Sequence, residues 1–211
     1  MTYVYDKVYL DDAMRTLGEA MDYVVNSCNL NMDAFLDLFI SGGFADQFES
    51  GVPKYVSGMS GIELVCDVLE KAGIKGRFPE AESSYEYSLE YWCGWILAYY
   101  QWNTGKSFKR ISNGISMVEL EKLYYTLHEA PEEKTVYVLD KIIGRNIPHT
   151  QLQILRKTAG YSQKTLAEKS GVNLRNIQQY EQRVKDINKA SAGALMALAR
   201  VLGCRMEDLL E

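Results

Sequence analysis

Asn173, Leu174, Arg175, Asn176, Gln178 and Gln179 bring amides, one guanidinium and one apolar branch into a single short run. On a helix, Leu174, Arg175, Gln178 and Gln179 face outward while Ile177 and Tyr180 point into a core. The outward groups are those that bond nucleobase edges in pairs. An arginine fork fits guanine, an asparagine or glutamine amide fits adenine, and a leucine branch can touch a thymine methyl. An ordinary solvated helix face would more typically carry Glu–Lys pairs.

Such side chains need a scaffold that holds them out, and the surrounding stretch, SQKTLAEKSGVNLRNIQQYEQ (162–182), predicts one. Ser162 sits where an N-cap belongs, and QKTLAEKS follows as a short amphipathic helix with Leu166 and Ala167 inward. Ala167 is small enough for two helices to cross steeply. Gly171 falls where the chain must turn sharply, which glycine does without steric cost. Val172 and Ile177 anchor the second helix, which reads as beginning at Asn173.

These residues carry a family resemblance. Leu155–Arg156, Ser162–Gln163, Leu166–Ala167, Gly171–Val172, Ile177, Tyr180–Glu181 and ALMALARVLGCRMEDLL (194–210) resemble, in order and spacing, the phage-repressor and Cro type of helix-turn-helix, the XRE family. The resemblance covers about residues 149–211 and implies a five-helix lambda-repressor-like domain. It further implies that Asn173, Leu174, Arg175, Asn176 and Gln179 face the major groove, with Asn176 suited to base or phosphate. Gln163 and Lys164 would meet phosphates at the first helix of the motif, and Arg183, Lys185 and Lys189 would do so after the second. The loop QRVKDINKASAG is about three residues longer than the commonest family form and lacks its usual glycine and proline. The implied partner is double-stranded operator DNA, bound by a homodimer that presents two recognition helices about 34 Å apart.

Charge divides the 211-residue chain in the same place. Residues 1–148 hold 13 Lys and Arg against 22 Asp and Glu, a net of −9, whereas residues 149–211 hold 10 against 6, a net of +4. Of 24 aromatic residues, Tyr161 and Tyr180 alone lie beyond position 148. The division predicts two domains, 1–146 and 147–211, with the boundary in GRNIPHTQ (144–151), where Gly144 ends one helix and Pro148 precedes the next.

The acidic part reads as all-α. Met14, Leu17, Met21, Val24, Val25 and Cys28 recur at helical spacing behind Asp11 and Asp12. Asn31 caps a helix with Met32, Phe35, Leu36, Phe39 and Ile40 inward, stopped by Gly42–Gly43. Ser60 with Glu63, and Ser116 with Glu119, are capping boxes, the second reinforced by an Ile115–Leu120 staple. A helix over 132–143 leads to the boundary. Between these lies an aromatic helix of about 84–103 that contains Gly94 and ends at Gly105. A glycine costs about 1 kcal/mol in that setting, so a neighbouring helix is expected to pack against it. Tyr87, Tyr91, Trp95 and Trp102 approximate one face and suit a ligand pocket or partner groove; the simpler reading has Trp92, Trp95, Ile96 and Tyr99 filling the core.

Other chemistry finds little support. Two histidines, His128 and His149, stand apart from any metal-like partner and read as surface residues near helix ends. No Ser/His/Asp or Cys/His arrangement can be built, so no enzyme, cofactor or metal is expected. SGGF and SGMSG lack the lysine of a phosphate loop. Four scattered cysteines suggest reduced thiols, and MTYVYDKVYLDDAM contains no secretion signal, so a cytoplasmic protein is expected. The most apolar window, 89–102, is too short to span a bilayer.

The composite reading is a DNA-binding transcriptional regulator acting as a repressor, with 1–146 as an interaction or regulatory domain. Two alternatives concern that domain. The pattern MDYVVNSC…YWCGW…LHEAPEEK resembles bacterial antitoxin-type regulators, which implies a cognate toxin as partner; an acidic surface would complement a basic toxin. Otherwise residues 1–146 bind a small effector.

Overall fold

The computed structural model describes residues 4–74, 78–80, 87–146 and 149–211. It is all-α, with no strand among the described residues. The chain separates into two compact units, Met1–Asn146 and Ile147–Glu211. Pro148, which the sequence places at the boundary, lies outside the described residues.

The first unit is built around α1 (Leu10–Asp22), with Asp11 and Asp12 in its first turn. Leu10, Ala13, Met14, Leu17 and Met21 are buried along it. Beyond Asp22 the helix widens into one π turn, Tyr23–Ser27, in which Cys28 N–H donates to Tyr23 O at 3.0 Å. That extra residue shifts the inward face. Tyr23 and Val24 are buried, whereas Val25 and Cys28, expected inside from a constant 3.6-residue period, are half-buried.

Next come α2 (Met32–Ser41), capped by Asn31, α3 (Phe44–Glu49), α4 (Pro53–Val56) and α5 (Gly61–Lys71). Ile40 is half-buried, while Phe35 and Phe39 lead into a ring cluster with Phe48 and Phe108; Phe39 meets Phe108 edge-on at 5.4 Å. The Ser60–Glu63 capping box opens α5, with Ser60 N–H donating to the Glu63 carboxylate at 2.7 Å.

Ser88 caps the aromatic helix α6 (Leu89–Thr104), and Gly105, at φ +69°, ends it. The helix therefore starts five residues later than expected; residues 84–86 lie outside the described residues. α1, α8 and α9 all pack on α6, so it is buried on several sides. Trp92 and Ile96 are in the core as the simpler reading has it, but Trp95 and Tyr99 are half-buried and Tyr100 takes the centre. Trp102 leaves the face expected of it: it is buried, and its indole N–H donates to Tyr5 O at 2.9 Å.

Gly94 meets the neighbour that its position calls for. A methyl group there would overlap the Leu17 carbonyl of α1, and one at Gly61 would overlap Thr16 O and Ala20 N on the same helix. Backbone touches backbone at both places.

α7 (Phe108–Ser112) and α8 (Met117–Leu127) follow, the latter opened by the Ser116–Glu119 box with Ile115 and Leu120 both buried. α9 runs over Glu132–Asn146, past Gly144. The expectation that Gly144 ends this helix is thus corrected: Asn146 Nδ2 donates to Gly114 O at 2.8 Å, a tertiary bond that holds the last turn in place. No helix among the described residues is long and apolar enough to cross a membrane.

The second unit holds α10 (Gln151–Thr158), α11 (Gln163–Ser170), α12 (Leu174–Glu181) and α13 (Ala192–Leu202). Two 3₁₀ turns, Ile187–Lys189 and Glu207–Leu209, complete it, so a single turn stands where a fifth helix was expected. Leu152, Leu166, Ile177, Tyr180, Ile187, Leu198 and Leu209 form its core.

Candidate nucleic-acid interface

Local chemistry fixes the hinge of α11 on α12. Ser162 Oγ accepts from Thr165 N–H at 3.0 Å, closing the first turn of α11. Gly171 terminates that helix at φ +71°, its N–H donating to Ala167 O at 2.9 Å. Ser170 Oγ donates to Leu166 O and accepts from Val172 N–H, so one hydroxyl bridges both sides of the turn. Asn173 is the N-cap of α12; its Oδ1 accepts from Arg175 N–H at 2.8 Å. That oxygen is committed to the helix start, which leaves the Asn173 amide N–H groups as donors for a ligand.

Beneath the helix pair lies a buried ion pair. Arg156 on α10 is 8% exposed and Glu181 at the end of α12 is 6% exposed. Arg156 Nε and Nη2 donate to the two Glu181 carboxylate oxygens at 2.6 and 2.8 Å, and Nη1 donates to Tyr161 O at 2.7 Å. The fork satisfies both partners, and the adjacent carboxylate raises the guanidinium's already high pKa. Glu181 also accepts from Gln163 Nε2 at 2.8 Å. The amide at the entrance of α11 is therefore positioned by the same carboxylate, with one N–H still available. Sequence reading noted Arg156 and Glu181 as parts of a resemblance and missed their joint role. Two charges at otherwise core-facing positions were the signal.

The outward side of α12 carries what composition promised. Arg175 is exposed, and Leu174, Asn176, Gln178 and Gln179 are partly exposed around it. Among the described residues Arg175, Gln178 and Gln179 make no side-chain hydrogen bond or ion pair. Lys185 turns back toward this helix, its Nζ donating to Asn176 Oδ1 at 3.5 Å and lying 5.5 Å from the Tyr180 ring centre. Lys164 is exposed on α11, with Glu168 one turn away at 4.0 Å.

Residues 152–209 match the helix-turn-helix family. No curated protein and no solved structure matches the chain. The second unit is thus a helix-turn-helix domain, the type of module with which regulators bind DNA.

Within this domain the candidate phosphate ligands do not behave alike. Gln163, Lys164 and Lys185 stand on or against the helix pair. Arg183 sits beyond α12 at φ +55°, and its guanidinium bonds to Glu211 Oε2 at 3.2 Å and reaches His149 O at 3.5 Å. Glu211 also accepts from Gln151 N–H at 2.7 Å, so Arg183 braces the domain's own ends. Lys189 lies in the 3₁₀ turn with Asp186 Oδ2 at 3.6 Å. The long loop therefore turns these two cations toward acids of the domain itself.

The histidines lie as surface residues. His149 Nδ1 is 2.7 Å from Gln153 Oε1, and His128 Nδ1 is 2.8 Å from Tyr124 O. Among the described residues no cluster of three His, Cys, Asp or Glu side chains could hold a metal.

Proposed function

We propose that this chain is a sequence-specific regulator that represses transcription as a homodimer, with α12 in the major groove of a two-fold symmetric operator. The observation that carries this reading is the outward side of α12, where a guanidinium and two amides stand without partners among the described residues. Unsatisfied forks of this kind are what base edges complement. Arg175 and Gln179 read bases, Leu174 meets a thymine methyl, and Asn173 and Asn176 support them with their amide donors. Gln163, Lys164 and Lys185 neutralise phosphates. Arg183 is an internal brace in this reading, because its guanidinium is held by Glu211, whereas the exposed Lys189 joins the phosphate-neutralising cations. The protein needs no catalytic group for this work.

A mobility-shift titration with selected operator DNA tests the assignment. Arg175→Ala with Gln179→Ala abolishes sequence preference and leaves salt-sensitive non-specific binding. Lys185→Ala weakens binding to all sequences and lowers the salt slope by about one. Equal affinity and equal preference in the double variant would overturn the base-reading roles.

A second reading shares the same domain. In it, residues 1–146 neutralise a basic protein toxin while the helix-turn-helix domain regulates their common operon. The net charge of −9 over residues 1–148 favours this over a small-effector role, since charge complementarity steers a basic macromolecule.

A further inference from the structure

Between the start of α6 and the end of α8, within the first unit, an open cleft of about 400 Å³ is walled largely by rings. Tyr91, Trp92 and Trp95 form one wall, preceded by Tyr87 and Ser88, and Tyr124 and His128 face them. Tyr87 stacks on Tyr91 at 4.2 Å, Trp92 meets Tyr124 edge-on at 5.5 Å, and His128 lies flat on Tyr124 at 4.5 Å. Among the described residues neither lysine nor arginine lines the cleft.

Carboxylates stand one contact behind lining residues on both sides. Ser88 Oγ donates to Asp22 Oδ1, and Asn26 Nδ2 links Asp22 (2.9 Å) to Glu90 (3.4 Å). On the opposite wall Glu129 lies 3.7 Å from His128 Nε2. Arg15, whose charge reaches Tyr91, is already paired with Asp12 at 2.5 Å. Electron-rich rings with carboxylates close behind them attract a cation. The flat walls favour guanidinium over ammonium, because it stacks on rings while its edge bonds carboxylates. Closed small-molecule sites bury most of their ligand, whereas this cleft is open and Tyr87 is 76% exposed. An open site suits a side chain whose backbone continues outside, and the acidic unit draws basic surfaces toward it.

We propose that this cleft receives an arginine side chain presented by a basic partner protein. It is a site separate from the DNA-reading face and holds whether or not that reading does.

The test titrates the full-length chain, followed by tryptophan fluorescence, with a capped Gly-Arg-Arg-Gly peptide and with its citrulline counterpart, which keeps the shape and removes the charge. The arginine peptide saturates the signal, and the citrulline peptide binds about tenfold more weakly or less. Tyr87→Ala, at an exposed position that leaves the core intact, and Glu90→Gln each weaken arginine binding by about fivefold or more, while affinity for DNA stays that of the wild type. Equal binding of the two peptides, wild-type affinity in both variants, or no saturation by about 10 mM would overturn the proposal. If Nα-acetylarginine methylamide binds as tightly as the peptide, the site serves a small organic cation and the partner-protein assignment falls.

Discussion

Glu181→Ala removes one carboxylate and strands three donors, because Arg156 Nε, Arg156 Nη2 and Gln163 Nε2 all bond to it at 2.6–2.8 Å. Each hydrogen bond to a charged group is worth roughly 1.5–3 kcal/mol, but the three share one acceptor group and do not add. The controlling quantity is the buried charge left behind at Arg156, which costs about 3–5 kcal/mol. A domain the size of residues 147–211 holds roughly 3–10 kcal/mol in all, so the variant loses a large part of it. Native-state amide exchange at Leu166 and Ile177, both buried in this domain, reads that loss without interference from the first unit. Exchange should accelerate by between about two and four orders of magnitude. Arg156→Met combined with Glu181→Leu removes both charges and fills the space, and should recover to within about 2 kcal/mol of the wild type. Exchange within threefold of the wild type in Glu181→Ala, or a double variant as unstable as the single one, would refute the reasoning.

Two further outcomes concern the first unit. Gly94→Ala drives a methyl into the Leu17 carbonyl and should cost about 3 kcal/mol or more, seen as a lower urea midpoint, whereas Gly144→Ala meets open space and should be neutral or slightly stabilising. Burial pushes the Glu49 carboxyl up from 4.5 to about 7, with Asp46 adding to the rise against the hydrogen bond from Phe108 N–H. The folded state therefore holds this proton more tightly than the unfolded one. Its stabilising contribution is complete below pH 4.5 and is lost as pH rises through about 7. Glu49→Gln should flatten the fall in urea midpoint between pH 5 and pH 8; an unchanged slope would mean that another group titrates.

What could be read in advance was mostly what is decided within one or two turns. Both capping boxes, the Asn31 and Ser162 caps and the positive φ at Gly105 and Gly171 depend on residues within about four positions of one another. The outward amide-rich side of α12 was legible for the same reason, since helical period alone separates Ile177 and Tyr180 from Arg175 and Gln179. Gly94 announced a close neighbour, though the sequence does not say which helix. The remainder is tertiary. Nothing local marks the π turn at Tyr23, which resets the buried face by one residue. Gly144 fails to stop α9 because Asn146 reaches a carbonyl on a distant turn, and Arg183 faces Glu211 because the loop after α12 brings the two together.

The two places where α1 meets its neighbours without an intervening side chain reach beyond stability. Positions 61 and 94 tolerate hydrogen and nothing larger, whatever happens to the rings and charges around them. A gene descended from the same ancestor can exchange the exposed side chains of the first unit and still be required to keep this pair, 33 residues apart. Searching for that sparse spacing, joined to a small-residue-rich first helix, offers a way to find remote kin that overall similarity passes over.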